Sequence, residues 1–198
     1  MPTLNTQEKR SRELVLAAFH QIAERGFEGL RTREVASEAG VNIATLHYYF
    51  PTKEALIRGV LEHAMSRFRT TLAAHGSPDS QLRNHLRAVR RLLLDEPQLG
   101  AVMGELALRS ARDASIAALL RETYDAWHAT MRGLLRRAVV DGELRPELDS
   151  DEAAALVVTT LTAMTLPIAA GPQTELALRQ LELWLGLRPE PAAVDAST

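Results

Sequence analysis

In 198 residues the chain carries 46% hydrophobic residues, 5% aromatics and no cysteine, and its 23 Lys+Arg against 25 Asp+Glu leave a formal net charge of −2. That length accommodates one domain or two small ones around a buried core, and the lack of cysteine excludes disulfide scaffolds, thiolate metal centres and cysteine nucleophiles while fitting a reducing compartment. Near-neutrality excludes a basic surface over the whole chain, although residues 1–70 hold ten Lys+Arg against eight Asp+Glu and the remainder 13 against 17.

The opening MPTLNTQEKRSREL has no apolar run of signal-peptide length, so a cytoplasmic location is expected. Residues 1–10 are polar and expected to be mobile. A first helix is predicted over about Arg12 to Glu24, where Val15, Ala18, Phe19 and Ile22 form a stripe at helical spacing. Gly26 ends it, and Phe27 and Leu30 fold back towards the core. Thr32 is expected to cap a second helix, with Arg33 and Glu34 in its first turn and Val35, Ala36 and Ala39 on one face. Gly40 then supplies the left-handed residue of a tight turn, Asn42 caps a third helix, and Leu46 and Phe50 point that helix inward.

Two short helices joined through Ala39-Gly40-Val41, the second ending in His47-Tyr48-Tyr49-Phe50, read as a helix-turn-helix. Asn42, Ile43, Ala44, Thr45, His47 and Tyr48 are left outside, where they can meet base edges and phosphates. Lys9, Arg10 and Arg12 read either as an arm for the DNA backbone or minor groove, or as ordinary solvated charges.

Pro51 breaks the pattern and Thr52 caps a fourth helix bearing Leu56, Val60, Ala64, Phe68 and Leu72, with its end near His75-Gly76. Amphipathic helices follow with Leu82, Leu86, Val89 and Leu93, then from Glu96-Pro97 through Leu99, Val102, Met103 and Leu106. A long pattern from about Ala114 to Val140 contains Ile116, Leu120, Tyr124, Trp127, Met131, Leu134 and Ala138 and stops at Gly142. Asp149 and Glu152 start a helix reaching about Ala170, Gly171-Pro172 separates it from a last helix over Glu175 to Leu185, and residues 189–198 are expected to be a disordered tail.

Ala153 to Thr174 carries no charge and has the length of a membrane span. Its five Thr, Pro167, Gly171-Pro172 and lack of a flanking aromatic or basic belt argue against a membrane. An uncharged helix in water needs cover on nearly all sides, and a second copy of the chain is the natural cover for the side its own domain leaves open.

Residues 11–60 resemble the N-terminal domain of the TetR family of bacterial transcriptional repressors. The matching pieces are Ala18-Phe19, Gly26-Phe27-Glu28-Gly29-Leu30, Thr32-Arg33-Glu34-Val35-Ala36, Ala39-Gly40-Val41, Thr45-Leu46, Tyr48, Phe50-Pro51-Thr52-Lys53-Glu54 and Leu56. Ile43, His47 and Tyr49 depart from the commonest form of the pattern. The resemblance implies an all-α chain, with a three-helix DNA-binding domain over 1–54 and a larger helical ligand-binding and dimerisation domain over 55–188.

On this reading Thr32, Tyr48, Tyr49 and Lys53 position the protein on phosphates, Arg33 stands beside them, Asn42, Thr45 and His47 read bases, and Ile43 or Ala44 touches a thymine methyl. The resemblance also implies a small-molecule cavity among three helices that carry Met103, Leu106, Tyr124, Trp127, His128, Met131, Thr160 and Met164. It implies a four-helix dimer interface from the last two helices, with Val157, Leu161, Leu178, Leu181, Trp184 and Leu185 as its residues. The alternative for those apolar positions is ordinary core packing.

No Gly-rich phosphate loop, His-Glu-x-x-His or Gly-x-Ser-x-Gly is present, and the six His at 20, 47, 63, 75, 85 and 128 form no i, i+4 pair. No catalytic residue, metal or cofactor is therefore expected. The function expected is a homodimeric repressor, bound to a palindromic double-stranded DNA operator and released by a small, mainly hydrophobic effector. The second reading is a sensing protein of the same fold acting as an activator or without a conventional operator.

Overall fold

Residues 4–72, 76–166 and 171–187 are described in the computed structural model, and among them lie nine α-helices, a 3-10 turn and no strand. The helices are α1 (Leu4–Arg25), α2 (Thr32–Glu38), α3 (Ile43–Tyr49), α4 (Lys53–Arg69), α5 (Pro78–Asp95), α6 (Pro97–Ser110), α7 (Ala114–Val140), α8 (Ser150–Ala163) and α9 (Pro172–Leu185), with the 3-10 turn Phe27–Gly29 between α1 and α2. The all-α expectation holds. The tail 189–198, the residues 73–75 expected to finish the fourth helix, and the stretch 167–170 lie outside the described residues.

Several boundaries differ from the sequence reading; among them, α9 begins at Pro172 and not at Glu175. Helix α1 starts at Leu4, so Lys9, Arg10 and Arg12 stand on a helix and not in a mobile arm. Glu13 pairs with Lys9 at 4.0 Å and with Arg10 at 3.1 Å, the i, i+4 and i, i+3 pairs that extend an exposed helix, and no breaker interrupts the run. Helix α4 ends at Arg69 because the Thr70 and Thr71 hydroxyls donate to the Arg67 and Phe68 carbonyls, competing with the backbone ladder. Helix α8 ends at Ala163, so the uncharged stretch is not one continuous helix, and among the described residues no helix is long and apolar enough to cross a membrane.

The N-terminal core is built from Leu14, Ala18 and Ile22 of α1, Val35 and Ala36 of α2, Leu46 and Phe50 at the end of α3, and Leu56, Ile57 and Val60 of α4. Helix α4 crosses α1 closely: a Cβ on Gly59 would lie 2.9 Å from Val15 Cγ2. Further along, the same helix buries Leu61, Ala64 and Phe68 in the C-terminal half. The boundary expected between residues 54 and 55 thus falls in the first turn of a helix that serves both halves.

In the C-terminal half, α7 is the central helix, with α8, α5 and α6 packed around it. Ala153, Ala154, Val157, Val158 and Leu161 make the buried face of α8, where the two alanines permit close approach to α7. Asp113 caps α7 by accepting from the Ser115 and Ile116 N–H groups, and Asp149 caps α8 by accepting from Asp151 and Glu152. Those two bonds hold the Asp149 carboxyl below the usual aspartate range.

Candidate nucleic-acid interface and ligand cavity

Helix α2 ends in a turn that only a left-handed residue completes. Gly40 has φ +65°, and the Val41 N–H reaches back to the Ala36 carbonyl at 2.9 Å. Asn42 is extended and its Oδ1 accepts from both the Thr45 N–H at 2.8 Å and the Thr45 hydroxyl at 3.0 Å. Buried Leu46 and Phe50 then fix which face of α3 turns outward.

That outward face carries Asn42, Ala44, His47 and Tyr48, with Arg33 of α2 exposed beside it. Tyr48 is 73% exposed and its ring stands edge-on to Tyr49 at 5.2 Å. Ile43, Thr45 and Tyr49 are half-buried, so Ala44 is the more accessible methyl for a base. The cap commits the Asn42 acceptor and leaves its amide N–H groups as the part free to read a base edge. Thr32 is not the cap of α2: Arg31 occupies that position in extended conformation without a side-chain cap bond, and Thr32 is the first helical residue. Buried Leu30 and the Arg31 N–H donated to Gln21 Oε1 at 3.3 Å pin the entry one residue earlier.

Lys53, in the first turn of α4, lies with its ammonium 4.7 Å from the centroid of the Phe27 ring, and the guanidinium of Arg109 from α6 stands 4.8 Å from the same centroid. Arg109 also pairs with Glu28 at 2.8 Å, and Glu105 of α6 accepts from the Phe27 N–H at 2.9 Å. Sequence reasoning missed this junction. Its only trace is Gly26, which has φ +69° and whose added Cβ would come within 3.1 Å of Glu105 Oε2.

A cavity of about 460 Å³ opens between α4, α6, α7 and the end of α8. Met103, Tyr124 and Trp127 line it, as the sequence reading expected. Leu106 and Met131 are fully buried core residues instead. His128 is half-buried with Nε2 3.3 Å from the Asp151 carbonyl, and Thr160 is half-buried away from the wall. Met164 lines a separate space of about 170 Å³. One whole wall was missed: α4 supplies Arg58, Leu61, Glu62, Met65, Phe68 and Arg69, and Leu72 just beyond it adds to them. Arg58, Leu61, Glu62, Met65 and Arg69 follow i, i+3 and i, i+4 spacing and adjoin the expected apolar stripe of the same helix at Phe68 and Leu72.

Behind the wall lies a chain of hydrogen bonds. The Trp127 indole N–H donates to His85 Nε2 at 3.1 Å, which puts the ring proton on Nδ1 and lets it donate to the Thr71 hydroxyl at 2.8 Å. Thr71 in turn donates to the Phe68 carbonyl. His85 is fully buried, and burial pushes its pKa down to about 4, so the ring is neutral. Arg67 and Glu96 form a two-point pair that ties α4 to the α5–α6 junction, and the guanidinium holds the Glu96 carboxyl below its ordinary range.

The residues expected at the dimer interface sit elsewhere. Val157, Leu161 and Leu185 have no exposed surface, and Leu178 and Leu181 have 4% and 5%, so all five belong to the core of the chain itself. Trp184 alone of that set is exposed, at 41%, with the Arg145 guanidinium over its ring at 5.2 Å. Leu156 on α8, Leu166 just beyond it, and Leu176 and Leu183 on α9 are exposed apolar side chains. Among the described residues no group of three or more His, Asp or Glu could hold a metal ion.

Comparison with known proteins agrees with this geometry. The family model described as "Bacterial regulatory proteins, tetR family" matches residues 14–60, and that described as "Tetracyclin repressor-like, C-terminal domain" matches residues 72–181. The nucleoid occlusion factor SlmA of Haemophilus influenzae is 29% identical over 91 residues, which span 46% of this chain and 42% of that protein. The HTH-type transcriptional regulator UidR of Escherichia coli is 22% identical over 193 residues, covering 95% of this chain and 94% of that one. The crystal structure of a putative TetR-family transcriptional regulator from Rhodococcus sp. superposes with a TM-score of 0.76 at 23% identity, over 90% of this chain and 99% of that chain.

Proposed function

Because the chain belongs to the tetR family of bacterial regulatory proteins, and is thereby a DNA-binding transcriptional regulator and not an enzyme, we propose that it works as a homodimeric repressor released from a palindromic operator by a small, mainly hydrophobic ligand. The observation that carries this reading is helix α4. Its first turn follows α3 within four residues and carries Lys53 against the Phe27 ring, and its later turns form a wall of the cavity. One rigid element thus spans the DNA-reading end and the ligand-holding end.

Two copies related by a dyad set their α3 helices into successive major grooves, with half-sites roughly one helical turn apart. The exposed apolar side chains of Leu156, Leu176, Leu183 and Trp184 support a second copy as the partner. The ligand releases DNA only as far as it binds a non-DNA-binding arrangement of α4 better than the DNA-binding one. A gel shift of the purified protein on its own upstream region, repeated over a salt series, tests the reading. Two protomers per shifted duplex, with affinity falling as salt rises, are expected. A protein that binds that region no better than unrelated DNA contradicts it.

A further inference from the structure

We infer that the cavity takes an amphiphile, with an apolar body of about ten carbons seated between α4, α6 and α7 and a polar head left at the rim; this rests on the regulator reading above. Most uncharged polar groups of the wall are already hydrogen-bonded within the chain. Thr123 and Thr130 donate to the carbonyls of Leu119 and Ala126, both at 2.9 Å, and Thr165 donates to Thr162 at 2.8 Å. The Trp127 N–H is taken by His85. Tyr124 shares one hydrogen bond with Thr159 at 3.1 Å, in an exposed position, and Thr162, whose hydroxyl has no partner among the described residues, is likewise exposed.

Among the described residues, the buried side-chain polar atoms without a partner are Arg83 Nε and Arg109 Nε, and neither residue lines the cavity. The wall hydroxyls of Thr123, Thr130 and Thr165 and the Trp127 indole N–H are therefore already bonded within the chain, and the donors left over, at Tyr124 and Thr162, stand in exposed positions. A carbonyl, carboxylate or sugar hydroxyl carried inside gives up its water without replacement, which weakens binding roughly ten-fold for each such group.

Charge is confined to the rim. Arg58, Glu62 and Arg69 of α4 and Glu122 of α7 are exposed and have no ion-pair partner among the described residues. Two cations and two carboxylates can meet a head of either sign, so the body and not the head is what the site selects. Space sets its size: about 460 Å³, at roughly 30 Å³ for each water-sized unit, holds on the order of fifteen non-hydrogen atoms. Phe68 and Trp127, tilted by 30° with centroids 6.3 Å apart, give the body a flat apolar bed, and Met65 and Met103 adapt to its shape.

Calorimetric titration of the full-length protein tests this with decanoate and decyltrimethylammonium, their octyl and dodecyl homologues, and glucose and gluconate as polar controls, all below micelle-forming concentrations. Saturable one-to-one binding is expected, about four-fold tighter for each added methylene and changing less than ten-fold between the two heads. Ala107→Trp and Ala126→Trp, which fill the cavity from exposed wall positions, are expected to abolish it with helical content unchanged by circular dichroism. Absence of binding, indifference to chain length, binding that survives both tryptophans, or a polar control that binds as well would overturn the inference. Operator binding is measured in parallel on ligand-free protein. Operator binding without decyl binding removes this inference alone, whereas decyl binding without operator binding removes the regulator reading and leaves the cavity assignment standing.

Discussion

The carboxylate of Glu105 on α6 accepts the backbone N–H of Phe27 at 2.9 Å, across 78 residues of sequence. Phe27 in turn has the ammonium of Lys53 and the guanidinium of Arg109 within 5 Å of its ring centroid. Helix α6 lines the cavity through Met103 and Ala107, so a second element besides α4 reaches from the cavity to the DNA-reading end. Gly26 favours the contact, since its φ of +69° strains any other residue and an added Cβ would crowd Glu105 Oε2 at 3.1 Å.

Glu105→Ala leaves a partly buried N–H without an acceptor, and charge-assisted bonds of this kind are worth roughly 1.5–3 kcal/mol. For a chain of this size that corresponds to a melting point lower by about 3–12 °C. Thermal melts followed by circular dichroism check it, and a variant that melts within 1 °C of the parent would falsify a stabilising role for the contact.

On the proposed docking of α3, Tyr48→Ala is expected to weaken binding on specific and unrelated DNA alike, because the proposal assigns this exposed ring to the phosphate backbone. Asn42→Ser keeps an oxygen that can cap α3 and removes only the amide N–H groups, so it is expected to alter base preference with little loss of stability. Asn42→Ala, which also removes the cap, is expected to cost a further 1 kcal/mol or so. Competition gel shifts on a set of single-base operator variants separate the three. The division fails if Tyr48→Ala and Asn42→Ser change specific and nonspecific affinity in the same ratio.

His85 makes the stability of the fold fall in mild acid. Its folded pKa of about 4 lies below the ordinary value of 6.5, so between those pH values the unfolded chain binds the proton that the folded chain refuses. Stability is therefore full above pH 6.5 and declines towards pH 4, by at most about 3 kcal/mol from this group. Urea melts from pH 7.5 to 4.5 should show a steeper decline for the parent than for His85→Gln. Parallel declines would mean that other groups set the acid limit.

Much of the fold and of the DNA-reading end was legible in the sequence because local rules decide it. Gly40, the Asn42 cap, and Leu46 with Phe50 act within a few residues of chain, and the bounds of α7 followed from periodicity and the glycine after it. The Glu105–Phe27 bond was not legible, since a glutamate on an amphipathic helix gives no sign of a partner 78 residues away. The Trp127–His85–Thr71 chain joins α7, α5 and the turn after α4, and has no spacing signature for the same reason. Val157, Leu161, Leu178, Leu181 and Leu185 do share buried faces, but periodicity says that a stripe needs cover and not whose helix supplies it.

That distinction decides how the dimer is to be tested. Leu181 is 5% exposed and belongs to the core of its own chain, so Leu181→Arg buries a charge and is expected to unfold the C-terminal half whether or not α9 lies at an interface. Leu176 and Leu183 are 59% and 67% exposed and lie seven residues apart on the outer face of α9, where an arginine costs the isolated chain little. In a dimer closed through this face, both copies bring the same residue to the contact, so each substitution places two positive charges there. Leu183→Arg, alone or with Leu176→Arg, is expected to sediment as a monomer while its thermal melt retains the cooperativity of the parent. It is also expected to lose operator affinity by far more than its affinity for a single half-site, because the two α3 helices are no longer held at one spacing. A folded double variant that still sediments as a dimer moves the interface off α9, and one that is monomeric yet binds the full operator as tightly as the parent removes dimerisation from the mechanism.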